Sequence, residues 1–203
     1  MGGWSRASRS HVAHMNKGDF YGSEVSHLMP KAGSVKIEHV AADGKVTVMK
    51  EKLALLEGEI IDASFLSIRE LKSFLEKEIE SALKDHMLLS VHLKATMMKV
   101  SDPVIFGVAV QVFYKDLFDK YGDNIFKEIG FNPNNGLQDL YDKMKKLPEV
   151  TKTQLLADID EVYEKRPWLA MVNSEKGITN LHVPSDVIVD ASMPCVIRDR
   201  FVG

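Results

Sequence analysis

VHLKATMMKVSDP at residues 91–103 and NSEKGITNLHVPSDVIVDASMP at residues 173–194 decide how this chain is read. Each sets a polar residue of chemical interest beside a strand-like apolar run and then turns at a proline. In α/β proteins ligands bind where strands end and connections begin, which makes Lys94 and Asp190 the first candidate site residues. A lysine ending an apolar run can bury its stem while its ammonium faces a cleft, where it positions a carboxylate or exchanges a proton. An aspartate closing Val187, Ile188 and Val189 suits a divalent cation or a backbone cap at a strand end. As residue types alone, both keep a plain structural reading, a snorkelling lysine and a capping aspartate. Asp186, at the other end of the same run, is equally a local turn residue.

The segments on either side alternate strand and helix signals. Val35, Ile37 and His39 alternate with polar neighbours, Asp43-Gly44 supplies a turn, and Val46 and Val48 begin a return strand, so a β-hairpin is expected. The capping box Ser67-Ile68-Arg69-Glu70 opens a helix with Leu71, Phe74, Leu75, Ile79, Ala82 and Leu83 on one face, ending near His86. Residues 87–93 form a short apolar run and read as a buried strand leading to Lys94. Asp102-Pro103 reads as a cap followed by proline in the first turn of a helix through Val104, Phe106, Val110, Phe113 and Leu117. Asn132-Pro133-Asn134-Asn135-Gly136 is a loop, then Leu137, Leu140, Tyr141 and Met144 mark a helix ended by Pro148, and Leu155, Leu156, Ile159 and Val162 mark another. Strands are expected over 168–172 and 187–189, on either side of a loop at Gly177. The order predicts one α/β region with a mixed sheet and flanking helices, its sole candidate internal boundary at 132–136.

Composition excludes several classes. The chain has 203 residues, 45% hydrophobic and 27% charged, with a formal charge of −3, so nothing points to a basic nucleic-acid surface. No stretch approaches the apolar length of a membrane span, and the amino end lacks the apolar core of a secretory signal, so a cytoplasmic protein is expected. Cys195 is the single cysteine, which rules out an internal disulfide and reads as a small buried apolar residue. There is no Walker motif, no G-x-G-x-x-G and no G-x-S-x-G. His11 and His14 lack the further ligands of a zinc site and read as structural or solvated. Lys143, Lys145 and Lys146 read as a solvated face near a helix carboxyl end. Met97 and Met98 read as flexible core filler beside Lys94.

SHVAHMNKGDFYGSE at residues 10–24 and EGEIIDAS at residues 57–64, with the two opening segments, closely resemble the NADP-dependent isocitrate dehydrogenases of the monomeric type, a likeness spanning residues 4–198. The resemblance implies part of the second domain of that enzyme, with an isocitrate/isopropylmalate dehydrogenase-like fold. It implies that Lys94, the lysine of HLKATMMK, belongs to the catalytic apparatus and that Asp190, the last aspartate of VPSDVIVDASMP, helps hold Mg²⁺ or Mn²⁺. It implies hydride transfer from isocitrate to NADP followed by decarboxylation of oxalosuccinate, with the metal polarising the substrate's hydroxyl or carbonyl oxygen. The family's serine, asparagine and arginine cluster for the isocitrate carboxylates lies before the matched region. Its catalytic tyrosine, two further metal aspartates and NADP-binding residues lie after it. An incomplete catalytic portion is therefore expected, binding neither NADP nor metal tightly by itself and self-associating through surfaces a missing domain would cover. The alternative is a noncatalytic binding or assembly module that keeps the domain's fold. Arg200-Phe201-Val202-Gly203 departs from the family pattern.

Overall fold

A run of alternating residues closed by Asp43-Gly44 can satisfy its backbone only by folding back on itself, and it does so in the computed structural model, which describes residues 6–94 and 96–184. The chain divides into two compact units, one of Met15–Ser67 and one of Met1–His14 with Ile68–Gly203.

The Met15–Ser67 unit carries a single helical turn, α1 (Phe20–Ser23), and four strands, β1 (Val25–Leu28), β2 (Gly33–Val40), β3 (Val46–Leu55) and β4 (Ile60–Ala63). β2 and β3 form the expected hairpin, with Val40 opposite Val46 and register shifts around Ile37. Gly44 takes a left-handed φ of 82° and donates its N–H to the Ala41 carbonyl, while the Asp43 carboxylate accepts from Lys45 N–H at 3.0 Å, so both turn residues act as the sequence indicates. β1 pairs antiparallel with β4, Val25 opposite Ala63. Leu55 is the one buried residue among the described residues of this unit.

The other unit is helical. α2 (Ile68–Lys84) buries Leu71 and Ile79, and it stops where His86 adopts φ 53° and Met87 N–H reaches back to the Ala82 carbonyl, a left-handed helix end. α3 (Ser101–Phe113) is apolar on nearly every side and buries every residue from 106 to 110, the pattern of a helix at the centre of a core. After a break at Tyr114 follow α4 (Lys115–Tyr121), a π-helical stretch Gly122–Phe126, and α5 (Lys127–Ile129), closed by Gly130 at φ 71°. α6 (Leu137–Lys143) and α7 (Glu149–Lys165) complete the helices, and β5 (Met171–Asn173) pairs with β6 (Ile178–Thr179) around Gly177. Phe106, Phe113, Leu117, Leu137, Leu140, Leu155 and Ile159 form the core.

The chain is of mixed α and β structure with small sheets. Among the described residues the strands make three separate antiparallel pairs, not a single mixed sheet. The run 87–93, expected as a strand, is extended: Leu89 makes a parallel bridge to Leu169, and Leu93 is a bridge residue as well. The expected strand at 168–172 correspondingly begins at Met171. Residues 132–136 lie inside the helical unit as a one-turn 3-10 helix, Pro133–Asn135, with the Asn132 side chain accepting from Asn134 N–H.

Candidate functional site

Lys94 ends the extended run, and three ties fix its backbone. Leu89 N–H donates to the Trp168 carbonyl at 2.8 Å, and Ala170 N–H donates to the Leu89 carbonyl at 2.9 Å. Val91 is held by one side chain at both of its backbone groups: its N–H donates to Asn180 Oδ1 at 3.2 Å, and Asn180 Nδ2 donates to its carbonyl. Lys94 N–H then donates to Asp102 Oδ2 at 2.7 Å, and the Lys94 carbonyl accepts from Met97 and Met98 N–H in a tight turn. Asp102 thus differs from the expected cap. Its carboxylate also accepts from Ser101 Oγ, so it links the first turn of α3 to the lysine loop. Met97 and Met98, 64% and 50% exposed, are corrections to the core-filler reading, since the turn points them outward.

The segments 91–103 and 173–194 therefore meet, through Asn180 on Val91. Thr179, Asn180 and His182 are buried polar residues that sequence reasoning did not single out. Their signal was present: three hydrogen-bonding side chains in the short stretch Thr179-Asn180-Leu181-His182 beside a β-turn glycine. His182 Nδ1 accepts from Thr179 N–H at 3.0 Å, which leaves the ring proton on Nε2, and the ring stacks on Tyr141 with centroids 5.6 Å apart. Burial pushes the His182 pKa down, so the ring is held neutral. The carbonyls of Leu181 and His182 accept from Leu137 and Gln138 N–H at the start of α6. A side chain on Gly136 would meet the His182 carbonyl oxygen at 2.2 Å, and its φ of 81° also favours glycine.

Beside Lys94, Ser90 Oγ and His92 Nε2 lie 2.6 Å apart, and burial lowers the His92 pKa. Deeper in the unit Tyr114 and Tyr163 hydroxyls meet at 2.7 Å, and burial raises both pKa values, so these phenols stay neutral. Among the described residues no group of three or more His, Cys, Asp or Glu side chains is arranged to hold a metal. The described donors do not fit a divalent cation, which takes about six oxygen ligands. Asp190, Asp186 and Cys195 lie outside the described residues. His11 is solvent-facing, its Nδ1 3.0 Å from the Arg9 carbonyl, and that contact raises its pKa. Lys143 pairs with Asp139 at 2.8 Å and Lys145 with Asp142 at 2.7 Å, so two members of the basic run sit in ion pairs on the helix surface. Among the described residues no helix is long and apolar enough to cross a membrane.

Comparison with known proteins accounts for the combination. The sequence model of the monomeric isocitrate dehydrogenase family matches residues 1–201. The chain is 60% identical over 199 residues to an NADP isocitrate dehydrogenase of Azotobacter vinelandii, covering 98% of this chain and 27% of that protein. It is 57% identical over 198 residues to isocitrate dehydrogenase [NADP] 2 of Colwellia maris, covering 98% of this chain and 26% of that protein. A third relative, from Mycobacterium tuberculosis, is 48% identical over 198 residues, with 98% and 26% covered. The chain spans about a quarter of the length of the curated relatives it matches. It belongs to the monomeric isocitrate dehydrogenase family.

Proposed function

We propose that this family member supplies Lys94 and Asp190 to the active centre of an NADP-dependent isocitrate dehydrogenase and is catalytically incomplete as an isolated chain. The observation that carries the reading is the Lys94 loop. Its backbone is tied at Leu89, Val91 and Lys94 to α3 and to the 168–180 segment, so the lysine sits on a fixed platform, as a group that must meet a reacting atom requires. In this reading Lys94 Nζ holds or moves the proton that leaves the substrate hydroxyl, or positions the neighbouring acid, while the hydride passes to NADP. Asp190 contributes one carboxylate to the Mg²⁺ or Mn²⁺ site. The chain corresponds to part of the second domain, with an isocitrate/isopropylmalate dehydrogenase-like fold, and works in the cytoplasm on isocitrate.

The purified chain with isocitrate, NADP and Mn²⁺ should show no NADP reduction, and turnover by it alone would overturn the incompleteness. Co-expression with the flanking segments of one of the longer relatives should restore reduction, with Lys94→Met and Asp190→Asn each abolishing it. A folded assembly indifferent to both substitutions would overturn the site assignment. Calorimetry on the chain alone should show no tight Mn²⁺ isotherm. A tight one lost in Asp190→Ala would reveal further ligands, Asp186 first among them.

A second reading, a noncatalytic assembly module, is favoured by one observation. Ile37, Val40, Val46, Val48 and Met49 are all exposed on the β2–β3 hairpin. Sedimentation across a concentration series should show self-association, and a monomer at every concentration would count against that module.

A further inference from the structure

The carboxyl ends of α2 and α7 flank a half-open groove of about 500 Å³, lined by Leu83, Met87, Tyr163 and Pro167, with Trp168 at its rim 77% exposed. This volume falls within the range of small-molecule sites, about 300–1,000 Å³. Arg166 also lines it. Arg166 is part-buried as a residue and, among the described residues, its guanidinium has neither an ion-pair nor a hydrogen-bond partner, although a planar five-donor fork is built to take a bidentate anion. The wall is fixed: His86 closes α2 in the left-handed region, and the Trp168 carbonyl is tied to Leu89 N–H. An indole face, aliphatic walls and one unsatisfied cation together describe a ligand with an apolar body and a single acidic group. Glu164, on the same lining, opposes a second negative charge.

We propose that this groove binds an amphipathic monoanion, its flat aromatic or branched apolar body against Trp168 and Leu83 and its carboxylate or sulfonate on Arg166. Among the described residues the lining does not include Lys94, and the proposal stands independently of the isocitrate reading.

Anilinonaphthalene sulfonate is the probe, with uncharged N-phenylnaphthylamine as its control, both followed by dye fluorescence and, in a Trp4→Phe background that leaves Trp168 as the only tryptophan, by quenching of its emission. The sulfonate should bind saturably at one equivalent, and Arg166→Gln should weaken it roughly tenfold or more, the loss expected for one charge-assisted hydrogen-bonded contact. The neutral dye should be indifferent to the substitution. Absence of saturable binding, or an equal effect of Arg166→Gln on both dyes, overturns the proposal. If circular dichroism shows that Arg166→Gln does not fold, a salt titration of the unaltered chain decides. Sulfonate affinity that falls with ionic strength while neutral-dye affinity holds sustains the site, and equal insensitivity of both dyes overturns it.

Discussion

The helical unit and the Met15–Ser67 unit solve the burial problem in opposite ways. In the first, α3, α4, α6 and α7 contribute a dense set of fully buried side chains, Phe106, Phe113, Leu117, Leu155 and Ile159 among them. In the second, Leu55 alone is buried among the described residues, and two antiparallel strand pairs hold their shape by backbone hydrogen bonds and turn chemistry. Isolated two-stranded sheets are marginal in water, so strand alternation alone does not confer an independent core. The contrast bears on function because the Lys94 run is tied within the helical unit to α3 and to the 168–180 stretch.

The largest effect should come from the centre of the helical core. Phe113, 1% exposed, packs edge-on against Tyr114 with centroids 5.0 Å apart, so Phe113→Ala leaves a ring-sized void. Denaturant unfolding should show a loss of about 3–5 kcal/mol. A loss under about 1 kcal/mol would mean that the site collapses freely, and the distinction between the two units would fall with it.

Next comes the clamp on the lysine platform. Asn180→Ala strips Val91 of the partner for both its N–H and its carbonyl in a part-buried position. About 1–3 kcal/mol should be lost, with faster amide exchange at Val91 and Lys94 than in the hairpin of the other unit. Unchanged protection at Val91 would show that the run 89–94 is held by other means.

These elements were unequally legible in the sequence. The hairpin, α2, α3, α6 and α7 follow from local rules: a turn dipeptide, a capping box, apolar spacing and proline breaks act on neighbouring residues and need no tertiary context. The run 87–93 was legible as an extended apolar run, but its ties were not, because apolarity reports burial and not pairing: Leu89 and Leu93 are bridge residues, while Val91 gives its backbone to an asparagine 89 positions away. Such a bond has no local signature, and for the same reason Asn180 is not legible as the group that fastens the lysine loop. Asp102 was legible as a polar residue at a helix start, yet its partner, Lys94 N–H, comes from the preceding loop. The β1–β4 pair escaped because Val25 to Leu28 and Ile60 to Ala63 carry no flanking two-residue turn that would couple them.

A smaller effect separates the units by pH. His182 is buried and His92 half-buried in the helical unit, and desolvation lowers both pKa values from the ordinary 6.5. The unfolded chain therefore takes up protons first as pH falls below 6.5, and stability present above that value is lost on the way down to the folded-state pKa, then levels off. The slope is bounded at about 1.4 kcal/mol per pH unit for each imidazole. Comparing urea midpoints at neutral and mildly acidic pH should show this decline in the parent and a shallower one in His182→Gln. An identical slope in the variant would mean that His182 protonates freely in the fold.

The smallest effect should fall on the hairpin. Met49 lies on β3 and is 68% exposed, so a substitution there removes little buried surface. Lysine is moreover the residue natural sheets place where an edge must stay unpaired. Met49→Lys should change unfolding free energy by no more than about 0.5 kcal/mol. The same variant should weaken any self-association through the β2–β3 face, because an ammonium desolvated there without a carboxylate is costly. Sedimentation and denaturant unfolding on one preparation separate the two consequences. Unchanged stability with reduced association identifies the hairpin as a surface without a core beneath it. A loss of more than about 2 kcal/mol in the monomer would show that Met49 is packed in solution, so that the hairpin unit has a core of its own after all.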